Sequence, residues 1–297
     1  MSLLSFIRGF LMAMADSVPG VSGGTIAFIL GFYDRFISSL NALSSKGDPA
    51  ERKEALSFLL KLGVGWVPGM ILSVIFLASL FEKNIYPVSS LFTGFILMAI
   101  PLILREEKEV LKGRYPYLVF TLLGAALVFF LSYFNPSSGE GMKLAWGSLN
   151  PGLVLYIFIS AMAGISAMVL PGISGSTILL IFGVYAGIIG AIKNVMTLQF
   201  EYLPILIIFS IGMLVGIKTT IKGIRYALKN HRAQAIYMIL GLMLGSFYAI
   251  FMGPATLEVP QPPMSWETFN IWTFLLGAGL ILALDRLRAS MEKKQKQ

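Results

Sequence analysis

The sequence predicts an all-α polytopic membrane protein of two inverted-topology repeats. Each repeat is a broken, re-entrant helical hairpin plus three transmembrane helices. Three observations predict this. Hydrophobic residues fill 56% of the 297 positions and charged residues only 13%, with a mean hydropathy of +0.79. One Pro-Gly-x-Ser-Gly motif occurs twice, far apart. Lys and Arg fall almost entirely in alternate loops. A soluble domain carries about 25% charge to cover its surface, so this composition excludes a soluble enzyme, a disordered scaffold and a nucleic-acid binder. The net charge of +8 is then a matter of topology. With no cysteine and one histidine, disulfide and thiolate chemistry and a histidine-built metal cluster are excluded.

Along the chain, the first apolar region runs from Leu3 to about Leu40 and breaks at Pro19-Gly20-Val21-Ser22-Gly23-Gly24-Thr25. Ala13-Met14-Ala15 resembles a signal-peptide cleavage site. The only early cation, Arg8, lies inside the apolar run rather than before it, so the segment is read as mature structure. Three spans of roughly 20 apolar residues follow at Leu56–Phe81, Tyr86–Leu104 and Tyr117–Phe134. A polar stretch, Asn135–Asn150, comes next. The second broken region runs from Leu153 to Ile192 and is interrupted at Pro171-Gly172-Ile173-Ser174-Gly175-Ser176-Thr177. Spans at Tyr202–Ile217, Ala235–Met252 and Ile271–Leu284 complete the chain.

The two breaks are copies. Shifted by 152, Val18–Tyr33 lies on Leu170–Tyr185 with nine of 16 positions identical. Weaker matches follow: at 147, Gly65, Gly69 and Gly94 fall on Gly212, Gly216 and Gly241; at 153, Leu122–Ala125 falls on Leu275–Ala278. The expected organisation is a first repeat over 1–135, an extracytoplasmic linker over 136–150, a second repeat over 151–290 and a basic cytoplasmic tail over 291–297. Internal repeats of this kind mark many secondary transporters.

A hairpin returns the chain to its starting side, so each repeat crosses an odd number of times. The second repeat then sits inverted relative to the first. With both termini in the cytoplasm, 20 of the 23 Lys and Arg residues face inward. Lys83, Lys143 and Lys193 face outward. This follows the positive-inside rule.

Pro and Gly break a helix by removing a donor and freeing the backbone. Irregular backbone at membrane depth persists where protein buries it or a polar cavity exposes it. The motifs are rich in hydroxyls and amides, which suit an anion, and each opens a helix expected to start near Thr25 or Thr177. The expected substrate-binding residues are therefore Pro19, Gly20, Ser22, Gly23, Gly24 and Thr25, with Pro171, Gly172, Ser174, Gly175, Ser176 and Thr177. Inverted repeats bring both sets toward the midplane. The competing reading is that these small residues only permit close helix packing. A phosphate-loop ATPase is excluded because no Lys follows the glycines.

The segments DSVPGVSGGTIAFILGFYDRFI and AMVLPGISGSTILLIFGVYAGII resemble the paired signatures of the membrane family catalogued as domain of unknown function 368, the polyprenyl-phosphate translocases. The resemblance covers essentially the whole chain. It implies a transporter, not an enzyme, that returns undecaprenyl phosphate from the outer to the inner leaflet of the bacterial cytoplasmic membrane for envelope polymer synthesis. The implied partners are that lipid substrate and the surrounding membrane lipids, with no cofactor.

Two alternatives stay open. Undecaprenyl-pyrophosphate phosphatases have a similar motif with Arg where this chain has Gly23 and Gly175. Phosphoryl transfer needs cations or a metal and a base or nucleophile, and the only histidine, His231, falls in a basic loop. A transporter of a small soluble anion shares every physical feature derived above. Asp16, deep in an apolar stretch, is a candidate for proton coupling, since intramembrane carboxylates are costly and functional by default; capping of nearby backbone amides is the competing role. Its repeat partner is Met168. Lys61 and Lys193 are candidates for attracting a head group. Asp34 and Arg35 are expected to form a surface ion pair, and Tyr33 and Tyr185 to anchor at the interface.

Overall fold

A computed structural model of the chain describes residues 3–16, 22–44, 48–73, 78–134, 150–256 and 260–295. Among these, every regular element is helical. The first broken region forms α1 (Leu3–Asp16), α2 (Gly23–Ile29) and α3 (Tyr33–Ser44). Next come α4 (Pro49–Leu72), α5 (Ala78–Glu106), the short α6 (Lys108–Leu111) and α7 (Leu118–Tyr133). The second broken region forms α8 (Pro151–Val169), α9 (Gly175–Ile181) and α10 (Tyr185–Met196), followed by α11 (Leu203–Asn230), α12 (Arg232–Met252) and α13 (Ile271–Gln295).

Six helices among the described residues are long and apolar enough to cross a membrane. They are α4, α5, α7, α8, α11 and α12 in whole or large part. Leu122, Leu214, Trp272 and Leu276 stand exposed on them or on α13, as lipid-facing side chains do. The chain is a multi-pass membrane protein.

Several boundaries differ from the sequence reading. α4 starts at Pro49, not Leu56, because Asp48 caps it: its carboxylate accepts the Ala50 N–H at 3.1 Å. α11 runs on to Asn230 through the basic stretch that was set outside the span. α13 continues to Gln295 rather than ending at Leu284 before a separate tail; Arg, Glu, Lys and Gln are good helix formers and nothing in the segment breaks the helix. α2 and α9 start at Gly23 and Gly175, two residues before the expected threonines. Only α8, of the arms of the two broken regions, reaches 19 residues, about 28 Å at 1.5 Å per residue. The linker expected over 136–150 lies outside the described residues apart from Asn150, which caps α8 through the Leu153 N–H at 2.9 Å.

Four helix pairs dominate the packing: α1 with α4, α8 with α11, α5 with α13, and α7 with α12. Glycines let the backbones touch. A methyl at Gly65 would strike the Phe6 carbonyl, and one at Gly212 the Phe158 carbonyl. A methyl at Gly94 would strike the Phe274 carbonyl, and one at Gly241 the Thr121 carbonyl. Phe6 and Phe158 are 152 apart, Thr121 and Phe274 are 153 apart, and the glycines of each pair are 147 apart. The same offsets that relate the sequences therefore relate the contacts.

The turn after each short helix repeats as well. Gly31 and Gly183, 152 apart, adopt φ of +64° and +68°, where an L side chain is strained. Phe32 N–H bonds the Ala27 carbonyl and Val184 N–H the Leu179 carbonyl, both at 3.0 Å. These turns join α2 to α3 and α9 to α10. The core lies around them, with Ile26, Ile37, Ile96, Ile236 and Met243 almost wholly buried.

The expected Asp34–Arg35 pair does not form. Consecutive helical residues point in different directions. Asp34 instead accepts from Arg232 at 2.8 Å, and Arg232 also holds Glu107. Arg35 pairs with Glu54 at 3.2 Å and lies over the Phe58 ring. Tyr33 is no interfacial anchor: it is 2% exposed and donates to the Val169 carbonyl at 3.1 Å.

Candidate functional site

The two motifs meet face to face. α8 ends at Val169, and its last carbonyls lack partners within the helix. The Tyr33 hydroxyl takes the Val169 carbonyl, and the Ser22 hydroxyl takes the Leu170 carbonyl at 3.0 Å. The Gly172 N–H donates to Thr25 Oγ1 at 2.7 Å. Ser22 also caps α2 by accepting the Thr25 N–H at 3.2 Å. Gly24 lies so close to the Val169 carbonyl that a methyl there would sit 2.5 Å from it. Hydroxyls of the first motif thus satisfy the backbone of the second.

The second motif is freer. Ser174 stands at the cap position of α9 but its side chain makes no capping bond. Its Oγ lies 2.7 Å from Ser176 Oγ. Both line a cavity of about 180 Å³. Gly175 and Ser22 line it too, and Asp16 and Met168 form part of its wall. The remaining wall is apolar, from residues such as Ala161, Ile165, Phe209 and Met213.

Asp16 ends α1 and reaches across the first break. Its carboxylate accepts the Gly23 N–H at 2.7 Å and the Trp66 indole N–H at 3.4 Å. A methyl on Gly23 would lie 2.8 Å from that carboxylate. Among the described residues, Asp16 is the only charged one lining this cavity, and Tyr185 is the other titratable one. A cavity with several neutral hydroxyls and one carboxylate can hold a phosphate oxygen by hydrogen bonds and respond to the charge state of the carboxylate.

Of the expected site residues, Ser22, Ser174, Gly175, Ser176 and Asp16 come together around one cavity. Gly23 and Gly24 line a second cavity described below. Thr25 is wholly buried as a cross-motif acceptor. Pro171 and Gly172 are buried, and Thr177 sits in the first turn of α9; none of these three lines the cavity. Pro19 and Gly20 lie outside the described residues. Lys61 is exposed on α4 and lines neither cavity. Lys193 lies in α10, with its side chain outside the described residues. Trp66 was missed. Its indole in an apolar span reads as an anchor, and only the fold brings it to Asp16.

The fold and this site define an all-helical polytopic membrane protein with a hydroxyl-lined cavity at the meeting of two broken helical segments. Residues 12–268 match the family described as VCA0040-like, undecaprenyl phosphate translocase-like, and the chain belongs to it. It is 32% identical to a polyprenyl-phosphate transporter of Staphylococcus aureus, covering 97% of this chain and 98% of that one. It is 31% identical to a polyprenyl-phosphate transporter of Vibrio cholerae, covering 98% and 96%. No solved structure matches the chain.

Proposed function

We propose that this protein is a polyprenyl-phosphate transporter that returns undecaprenyl phosphate from the outer to the inner leaflet of the bacterial cytoplasmic membrane. The phosphate head sits in the cavity between the motifs, held by the Ser174 and Ser176 hydroxyls, with Ser22 also in the lining. The observation that carries this reading is the convergence of hydroxyls from both motifs on one cavity in an apolar bundle. An isolated charge at the bilayer centre costs at least about 2.5–3.5 kcal/mol, so a carrier must supply polar contacts there. A cavity of about 180 Å³ is smaller than the roughly 300–1,000 Å³ of sites for drug-sized ligands. It suits the head alone and leaves the long tail in lipid.

In this reading the two repeats, over 1–135 and 151–290, have inverted topology, with the linker outside and both termini in the cytoplasm. The 20-to-3 division of cations supports that orientation. The paired residues Arg35–Glu54, Arg105–Asp285 and Arg232–Glu107–Asp34 all join segments that the orientation puts on one side. Asp16 couples the head to a proton, and the protein makes and breaks no covalent bond in its substrate. The test is reconstitution in liposomes with a labelled polyprenyl phosphate, following head-group accessibility on each side with and without a pH gradient. No protein-dependent movement of the head group would refute the proposal.

A further inference from the structure

The head-group cavity has a counterpart in the first repeat. A second cavity of about 240 Å³ is lined by Met12, Asp16, Gly23, Gly24, Leu62 and Trp66, among others. Shifting the first four by 152 and the last two by 147 gives Gly164, Met168, Gly175, Ser176, Phe209 and Met213. All six line the first cavity. The chambers are therefore repeat-related, and Asp16, Ile165 and Met168 line both.

The matching positions differ in chemistry. Asp16 matches Met168 by repeat position but both face both chambers, whereas Gly24 in the first-repeat chamber stands where the other has the hydroxyl of Ser176. The remaining wall of the first-repeat chamber is apolar, including Phe36, Leu40, Leu59 and Val169. Ser22, Ser174, Ser176 and Tyr185 line the first cavity and no hydroxyl lines this one among the described residues. It therefore offers a phosphate no hydroxyl donor, and its apolar wall accepts hydrocarbon. The Trp66 face and the Met12 and Met168 thioethers are polarizable surfaces that adapt to a branched, unsaturated chain.

Resting on the head-group assignment above, we propose that the first-repeat chamber is the seat of the isoprene unit next to the phosphate. Asp16 and Met168 form the partition between head and chain. The site then recognises a prenyl phosphate by both parts at once. Leu59, Leu62, Gly63 and Trp66 lie on one face of α4, at i, i+3, i+4 and i+7, and all line the chamber. A Cβ on Gly63 meets no atom within 4 Å. A side chain grown there begins in open space at the chamber wall.

The test uses the full-length protein in detergent, with the other three tryptophans, Trp146, Trp266 and Trp272, changed to Phe. The probes are methyl phosphate, which carries the head alone, and dimethylallyl phosphate, which adds one isoprene unit. Dimethylallyl phosphate carries four carbons more than methyl phosphate and is expected to bind at least about tenfold more tightly, the gain from burying roughly two of them, and to shift the Trp66 emission. Gly63→Leu should abolish that advantage and leave methyl phosphate affinity unchanged; Gly63→Ala should retain most of it and controls for folding. An advantage that survives in Gly63→Leu, or dimethylallyl phosphate binding without a change in Trp66 emission, overturns the assignment of the chamber. Failure of both phosphates to bind in wild type and Gly63→Ala would instead sink the head-group seat, and this inference with it.

Discussion

Thr25 Oγ1 accepts a hydrogen bond from the Gly172 backbone at 2.7 Å, across 147 residues of sequence and between the two breaks. Thr25 is fully buried. With the bonds from Ser22 and Tyr33 to the end of α8, it makes the first motif the brace of the second. Two nearly identical sequence motifs therefore have unequal environments.

Thr25→Val should lower stability with little direct effect on a bound head group. It keeps the shape and removes the acceptor, leaving the Gly172 N–H buried and unsatisfied, at a cost of about 1–3 kcal/mol. Thr25→Ser keeps the oxygen and should lose much less. Thermal unfolding in detergent checks this, and equal midpoints for wild type and Thr25→Val would show that the bond contributes nothing.

The serines should separate in the same way. Ser174→Ala and Ser176→Ala remove hydroxyls that, among the described residues, pair with each other. They should weaken prenyl-phosphate binding with the unfolding midpoint unchanged. A hydrogen bond to a charged acceptor contributes roughly 1.5–3 kcal/mol, or about ten- to hundredfold in affinity. Ser22→Ala removes the α2 cap and the Leu170 contact, so its midpoint should fall too. Binding and unfolding measured on the same preparations decide the matter. A Ser174→Ala, Ser176→Ala double variant that binds and transports normally would make these serines packing residues.

Much of this arrangement is legible in the sequence because it is carried by period and offset. Among the described residues, five of the six long apolar helices follow from the expected runs; the sixth is α8, an arm of the second broken region, while the run expected over Ile271–Leu284 gives a shorter apolar helical stretch. The contacts of Gly65 with Phe6 and Gly212 with Phe158 echo the repeat. The motif serines and Asp16 were recognisable by chemistry alone. Trp66 was not, because its meaning depends on α1 packing against α4. The division of labour between Ser22 and Ser174 was hidden too. It depends on which carbonyls at the end of α8 need a donor, and that is a property of the assembled backbone. The Asp34–Arg35 expectation failed because adjacency in sequence is not adjacency on a helix surface.

The inverted topology predicts a labelling pattern. The native chain has no cysteine, so a single introduced thiol gives a clean signal. Lys112 follows α6 and Glu201 precedes α11, and both are exposed. In intact cells, Glu201→Cys should react with an impermeant thiol reagent and Lys112→Cys should react only after permeabilisation. Both sites lie outside the breaks, so the result is independent of whether the hairpins re-enter. Equal labelling of the two from outside would defeat the inversion.

Asp16 separates two roles through one substitution. Its carboxylate accepts the Gly23 N–H and the Trp66 indole N–H, while it lines both chambers beside the proposed phosphate. If it only braces the break, Asn offers the same acceptor oxygen, and Asp16→Asn should transport normally with its pH profile unchanged. If it carries a proton with the head group, Asp16→Asn stays neutral at every pH. It should then keep only the pH dependence of the phosphate's own second ionisation, at about pH 6, and lose net accumulation driven by a pH gradient, leaving exchange of labelled for unlabelled lipid. Trp66→Phe provides the control. It removes the indole donor and keeps a large apolar side chain, so Asp16 stays ionisable. Proton coupling therefore predicts that Trp66→Phe keeps a carboxylate-dependent transport profile, displaced from that of the wild type, while Asp16→Asn shows only the phosphate's own titration. Liposome transport across a pH series in the three proteins reads this directly, and a wild-type profile in Asp16→Asn leaves Asp16 a structural acceptor.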